Sequence, residues 1–378
     1  MASFTLRLRE FRTLGRLDWS PKGLCVLTGA NGAGKTTTLD ALVFSRALFT
    51  GGHESALRAV DGANFRRLGV DSATAVELTV EASGLRWLLR FPMSASGLMG
   101  AYGEELYQGD ELVFRAPMYQ DDWFLGQDRI PRDEQRCCAR VLWDRGSAEW
   151  MRPLAEFLET IRVYGPYWLN QVKDGSAAQL GDSFLHGTGR NLWSVLSNWK
   201  ASPLRYRGQF DWVLTEARKA FPELLGTIEF DRGLPYLFHP QATDPADGLP
   251  PSRAADGLLT GLLHLTALAG AKPGSVLAFD EMENQLHPHA IRSLLSAMRR
   301  QAEERDLTIC VTTHSPVVLN QFRDDPEQVY VLGHGVEGVD VPAPMTELHT
   351  EEWLAQAKLG TLYERLAFSA PTIPNPAP

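Results

Sequence analysis

Three short runs of residues carry the chemistry in this chain. Gly29-Ala-Asn-Gly-Ala-Gly-Lys35-Thr36-Thr37 satisfies the pattern G-x-x-x-x-G-K-[ST] in full. Glycines at 29, 32 and 34 let a backbone fold tightly around phosphates, and its N–H groups and the following helix N-terminus receive their charge. The backbone of Asn31, Gly32, Ala33 and Gly34, continuing into Thr37, is therefore the expected nucleotide cradle. Lys35 would reach the β- and γ-phosphates, and the Thr36 hydroxyl would ligate Mg²⁺. The second run, Val276-Leu-Ala-Phe-Asp280-Glu281, is apolar and ends in two carboxylates. Asp280 is placed to hold the Mg²⁺ shell and Glu281 to accept a proton from an attacking water. The third, Cys310-Val-Thr-Thr-His314, ends in an imidazole that could contact a γ-phosphate and sense its loss.

Each run needs an element behind it. The spacing predicts strands at Phe4–Leu8, Leu24–Thr28, Thr74–Val80, Arg86–Phe91, Val276–Phe279, Leu307–Val311 and Gln328–Leu332. A helix is expected from about Gly34, with Leu39, Leu42 and Val43 on one face. Another lies between Phe279 and Leu307, where Ile291, Leu294, Leu295 and Met298 form one apolar stripe. Strand–helix–strand succession of this kind is the mark of a parallel sheet.

Composition sets the limits. The 378 residues carry a net charge of −9 and are 44% hydrophobic, which excludes wholesale disorder. The acidic balance argues against coating nucleic acid by charge alone, although a local contact with DNA stays open. No apolar run is long enough for a membrane span, so no membrane partner is expected. Cys25 and Cys310 fall inside apolar strands, and the adjacent Cys137 and Cys138 lack the spacing of a zinc or redox site. A reducing cytoplasm is the expected compartment.

NGAGKTT, LAFDEMENQLHP and TTHSP together resemble the ABC-type ATPase heads of the RecF/SMC/OLD-like group, the AAA-family predicted ATPases in their compact form without a coiled coil. GRNLWSVL at Gly189–Leu196 and AADGLLTGLLHLTAL at Ala254–Leu268 fall where that group places its middle helix and its signature helix. The resemblance covers roughly residues 1–50 and 185–365. It implies an α/β P-loop fold with a mixed sheet and an ATP-driven head-to-head homodimer. Each nucleotide would lie between one subunit's phosphate loop and the other's signature segment. That segment reads Ala255-Asp256-Gly257 here, where the group has Ser-Asp-Gly or Ser-Gly-Gly, so the hydroxyl for the partner's γ-phosphate is missing. Asn284, Gln285 and Leu286 match the loop that faces the partner. Gln120 and Gln171 are both candidates for the lobe-linking glutamine. The implied function is ATP hydrolysis as motor or switch in DNA repair or anti-phage defence, with a separate nuclease or toxin-like effector. Two rivals are a nucleotide-gated clamp with negligible turnover and a stand-alone DNA-binding protein. Forty-six residues follow Leu332, too few for a TOPRIM nuclease domain.

Two further signals are weaker. Glu283, His287 and His289 could suggest a metal site, but His-Pro-His is a feature of the helix start in that group. Arg7, Arg9, Arg12 and Arg16 read as a solvated strand face, with Arg12 the best placed to meet the nucleotide base or DNA. The expected division is an N-terminal ATPase part over 1–92 and an irregular acidic, Trp-rich insertion over 93–184. A helical signature lobe over 185–270, a C-terminal ATPase part over 271–370 and a disordered tail over 371–378 complete it. Seven of the ten tryptophans lie between Trp123 and Trp212, enough bulk for a core of their own.

Overall fold

The computed structural model describes residues 4–60, 67, 70–71, 74–92, 102–146, 148–175, 182–206, 208–333, 342–355 and 358–364. The expected tail, 371–378, lies outside them. In chain order the first strands are β1 (Phe4–Phe11), β2 (Leu14–Trp19), β3 (Leu24–Gly29), β4 (Val76–Ala82), β5 (Leu85–Phe91), β6 (Gly103–Gln108), β7 (Glu111–Ala116) and β8 (Asp122–Leu125). Then follow β9 (Asp128–Pro131), β10 (Arg162–Tyr164), β11 (Thr227–Asp231), β12 (Leu234–Phe238), β13 (Val276–Phe279), β14 (Thr308–Thr312), β15 (Val329–Leu332) and β16 (Ala343–Pro344).

They form two principal sheets. One is antiparallel, in the order β2-β1-β4-β5-β6-β7-β8-β9; the other runs β10-β13-β14-β3-β15-β16 and is parallel except at its β15–β16 edge. The parallel strands β3, β13 and β14 are buried at every position, as a sheet covered on both faces requires. Alternation along these strands splits them between two cores. Val26, Leu277, Phe279, Ile309 and Val311 pack with the helices Leu192–Ala201, Asp256–Gly270 and Pro288–Glu304. Cys25, Leu27, Val276, Ala278 and Cys310 turn to the other face, where the helix Lys35–Ala59 and the antiparallel sheet close over them.

The alternating start FTLRLREF makes β1 a half-buried strand whose arginines lie on the polar face. Arg7 pairs with Asp18 and Glu81, and Arg9 with Glu77, so the basic stretch is largely neutralised by its neighbours. The helix from Lys35 runs to Ala59 through a break at Gly52, whose φ of 78° and ψ of −169° leave helical space.

The segment expected as an irregular insertion is regular where it is described. β6–β9 extend the antiparallel sheet, β10 joins the parallel sheet beside β13, and the helices Cys138–Asp144 and Arg152–Thr160 pack into the core beneath helix Lys35–Ala59. The buried tryptophans of the Trp123–Trp212 run are divided between the two cores. Trp123 sinks into the core of the antiparallel sheet, while Trp193 and Trp199 join the core around helix Asp256–Gly270. A buried carboxylate ties the segment down: Glu104 accepts from Trp87 Nε1 (2.8 Å) and from the N–H groups of Cys138 (2.7 Å) and Ala139 (2.8 Å). Burial beside Glu104 pushes both the Cys137 and the Cys138 thiols up, so they pack as apolar groups. Among the described residues no helix is long and apolar enough to cross a membrane.

Candidate functional site

All three chemical runs end at one edge of the parallel sheet, because β3, β14 and β13 are successive parallel neighbours and their C-terminal ends align. β3 stops at Gly29, whose φ is 145° and whose added Cβ would drive into the Leu332 carbonyl oxygen. Only glycine fits there. The chain then turns through Gly32 (φ 77°) and Gly34 (φ 99°) into the helix at Lys35. Gly34 caps that helix without a side chain, leaving the first N–H groups for a ligand.

Lys35 is 7% exposed and folds back so that Nζ donates to the carbonyls of Gly29 and Ala30, both at 3.1 Å. Burial lowers its pKa, and the nearby Asp280, Glu281 and Glu283 oppose that shift. The Thr36 hydroxyl faces Asp280, at 3.1 Å from Oδ2 and 3.4 Å from Oδ1. A hydroxyl and a carboxylate at this spacing are the hard oxygen donors that Mg²⁺ takes. One cavity of about 170 Å³ is lined by Asn31, Gly32, Gly34, Lys35, Thr36 and Thr37 together with Asp280, Glu281 and His314. The structure therefore brings the three predicted runs into one cleft. Thr13 lines it too, its hydroxyl 3.0 Å from that of Thr37.

Four further groups hold this cleft: Asn284 and Glu283, read from the sequence in other roles, and Thr312 and Tyr363, not singled out there. Thr312, fully buried at the end of β14, donates to Asp280 Oδ1 (2.5 Å) and accepts from the Glu281 N–H (2.7 Å). Glu281 needs that anchor, since it sits in the left-handed region at φ 48°. Asn284 Nδ2 donates to Glu281 Oε2 (2.8 Å), which orients the carboxylate. Glu283 Oε1 accepts from the His314 N–H (2.8 Å), and Tyr363 hydrogen-bonds His314 Nδ1 (2.8 Å). Burial, then the charge of Lys35, lowers the His314 pKa and favours the neutral ring. The doubled threonine and the MEN triplet were visible signals; Tyr363, 49 residues downstream of His314, left none.

Other predicted residues lie elsewhere. Arg12 is ion-paired with Asp40 and donates to the Val60 carbonyl (2.6 Å). It lines a separate cavity of about 840 Å³ that reaches Thr36 and Asp280 from the side of Gly165 and Trp168. Ala255, Asp256 and Gly257 do not line the phosphate-loop cleft of their own chain. Ala255 caps the helix Asp256–Gly270 without a side-chain hydrogen bond, Asp256 pairs with Lys173, and Gly257 packs so closely on the Gln285 carbonyl that a Cβ would clash. This last contact joins the signature segment to the Asn284–Gln285–Leu286 loop. Gln120 lies between β7 and β8, and Gln171 is exposed on the helix Leu169–Lys173; neither lines the cleft. His287 caps the helix Pro288–Glu304 by accepting from the His289 N–H (3.3 Å), and His289 bonds the Lys219 carbonyl (3.1 Å).

A buried contact ties the helix Asp256–Gly270 to the residues beside Glu281. His264, in the middle of the signature helix, bonds the Tyr167 hydroxyl through Nδ1 (2.9 Å) and the Met282 carbonyl through Nε2 (3.0 Å). Burial pushes its pKa down to about 4. Nε2 then donates to Met282 and Nδ1 accepts from Tyr167, which fixes the helix to the residues next to Glu281.

Residues 240–320 match the family model described as AAA domain, putative AbiEii toxin, Type IV TA system. No curated protein matches the chain. Among solved structures the chain is similar to an Smc head bound to the C-winged helix domain of ScpA, with 13% identity, 93% of this chain and 98% of that one covered and a TM-score of 0.47. It is also similar to the SMC head domain from Thermotoga maritima (11% identity, 91% and 99% covered, TM-score 0.43). A third is the Smc head domain with an extended coiled coil bound to the C-terminal domain of ScpA, derived from Pyrococcus furiosus (11% identity, 90% and 96% covered, TM-score 0.45). The phosphate loop, the Asp280–Glu281 strand end and His314 thus meet on one parallel sheet edge, and the match to the AAA-domain model, over 240–320, takes in the last two of these.

Proposed function

We propose that this chain binds and hydrolyses ATP, and that its ATP-bound form pairs head to head with a second copy as a motor or switch. The observation that carries the reading is the meeting of Lys35, Thr36, Asp280 and Glu281 in one cleft. Lys35 and the loop N–H groups would hold the β- and γ-phosphates. Glu281, oriented by Asn284 and the Thr312 anchor, accepts a proton as the water oxygen bonds to the γ-phosphorus. The bond from that phosphorus to the bridging oxygen breaks in the same displacement, and ADP leaves with the bond's electron pair. Neutral His314 would hydrogen-bond the γ-phosphate. Thr36 and Asp280 fit Mg²⁺, which when bound supplies charge neutralisation to the phosphates.

The N-terminus of helix Asp256–Gly270, which no side chain among the described residues caps, supports the pairing, since its first N–H groups would meet a partner's nucleotide. The family description over 240–320 names a putative toxin of a type IV toxin–antitoxin system, which supports anti-phage defence over DNA repair as the setting; a separate nuclease or toxin-like effector is part of this proposal. A cytoplasmic setting suits that role and the four reduced, buried cysteines.

A second reading, the nucleotide-gated clamp, draws support from Ala255, which has no hydroxyl to offer. Steady-state phosphate release separates the two. The ATPase reading expects turnover in the wild type and its loss in Glu281→Gln with ATP binding retained. Background release from a wild-type protein that still binds ATP favours the clamp.

A further inference from the structure

A larger cavity, of about 590 Å³, opens at the opposite end of the signature helix from Ala255, against Ala269, Gly270 and Ala271. It shares no lining residue with the phosphate loop's cleft. Its lining carries four cations, Arg162, Arg205, Lys272 and Arg305, and no carboxylate among the described residues. In a chain of net charge −9 this is a local reversal of sign.

The charges are left unneutralised by the way they are held. Arg305 donates to the carbonyls of Leu268 (3.1 Å) and Ala269 (3.3 Å), where the helix ends, and Arg162 to those of Glu159 (2.6 Å) and Ile161 (2.8 Å). Both spend N–H groups on carbonyl oxygens, which orients them without cancelling a full charge. Arg205 and Lys272 are exposed at the rim and make no ion pair among the described residues. Glu159, whose charge also reaches Arg162, is paired with Arg140 at 3.2 Å.

The rest of the lining is suited to a flat ring. Phe184, Tyr206 and Trp212 contribute aromatic faces, two of them already stacked with a cation: Arg162 lies 5.0 Å from the centre of Phe184 and Arg205 5.5 Å from that of Tyr206. Gln209 donates its Nε2 to the Ala269 carbonyl (2.7 Å), which fixes the amide, and its buried Oε1 has no partner among the described residues. A buried acceptor without a donor is costly unless a ligand supplies one.

We propose that this cavity is a second nucleotide site, taking a nucleoside monophosphate. Its phosphate is held by the four cations, its base stacks on the aromatic side chains, and a ring or sugar donor meets Gln209. The site is built on the helix whose other end carries Asp256 and Gly257 and whose His264 holds Met282, so the ligand bears on the catalytic loop through one rigid element. The proposal does not depend on ATP hydrolysis at the phosphate loop.

Calorimetry on the full-length Lys35→Ala protein, in which the phosphate loop is disabled, tests it with AMP, adenosine and inorganic phosphate as separate titrants. AMP is expected to bind once per chain, more tightly than either fragment. Arg205→Glu with Lys272→Glu, both at the exposed rim, should weaken AMP at least about tenfold while the circular dichroism spectrum stays unchanged. Inorganic phosphate binding as tightly as AMP would overturn the nucleoside assignment. Absence of AMP binding to Lys35→Ala at millimolar concentration, or binding indifferent to the double substitution, would overturn the site itself.

Discussion

Thr312→Val removes one hydroxyl from the centre of the catalytic edge while nearly preserving the shape of the side chain. Two hydrogen bonds go with it: the donation to Asp280 Oδ1 (2.5 Å) and the acceptance from the Glu281 N–H (2.7 Å). The first is charge-assisted and contributes about 1.5–3 kcal/mol; the second leaves a buried-side N–H without its partner, at about 1–3 kcal/mol. Valine recovers part of this as a buried methyl group, so the net loss of stability is about 3 kcal/mol. The kinetic effect follows from geometry. Glu281 holds a left-handed φ of 48° that the Thr312 bond helps to maintain, and a carboxylate misplaced by about an ångström costs on the order of a hundredfold in rate. ATP affinity should change less, because Lys35 and the glycine loop are untouched. Urea unfolding, phosphate release and ATP calorimetry on Thr312→Val and Thr312→Ser check each part. Serine keeps the hydroxyl and should retain most of the turnover. A valine variant with wild-type stability and turnover would refute the anchoring role.

Gly29→Ala should prevent proper closure of the phosphate loop, since its Cβ collides with the Leu332 carbonyl; soluble, folded protein with unaltered ATP affinity would contradict this. The Glu281→Gln protein should self-associate more strongly with ATP and Mg²⁺, and adding Ala255→Ser should tighten that dimer by about 1.5–3 kcal/mol, readable by light scattering across a concentration series. A mass independent of nucleotide in both proteins counts against head-to-head pairing. His264 gives a pH dependence of fixed sign. Its folded pKa, about 4, lies below the ordinary 6.5, so the unfolded chain takes up the proton first and stability falls as pH drops from about 6.5 towards 4. The loss from this group reaches about 2 kcal/mol by pH 5. Urea midpoints at pH 7 and pH 5 should therefore differ more in the wild type than in His264→Leu, and equal differences would remove His264 from the account.

The chemical groups were legible in the sequence because each closes a run whose spacing states its element. NGAGKTT follows an apolar strand, VLAFDE and CVTTH are themselves apolar strands, and parallel neighbours must align their C-terminal ends. The supporting groups were less legible. Thr312 looks like any buried strand residue until β14 is known to lie between β13 and β3. Tyr363 reaches His314 from a helix near the C-terminus, a contact that no local pattern announces. Residues 102–164 misled because their strands are short and their charges cross-pair, as with Arg90, Arg115 and Glu105 on neighbouring strands; acidity there marks a paired sheet face. Tryptophan bulk misled for a related reason. Burial area says that a side chain is inside, and the chain's topology decides in which core.

The central claim is that one phosphate-loop site per chain binds ATP through Lys35. Calorimetric titration of the wild-type protein with ATP and Mg²⁺, beside Lys35→Ala, addresses it most directly. The account predicts one ATP bound per wild-type chain and the loss of that binding in a folded Lys35→Ala protein, whose Nζ no longer spans the Gly29 and Ala30 carbonyls. Unchanged ATP affinity in that variant would contradict it.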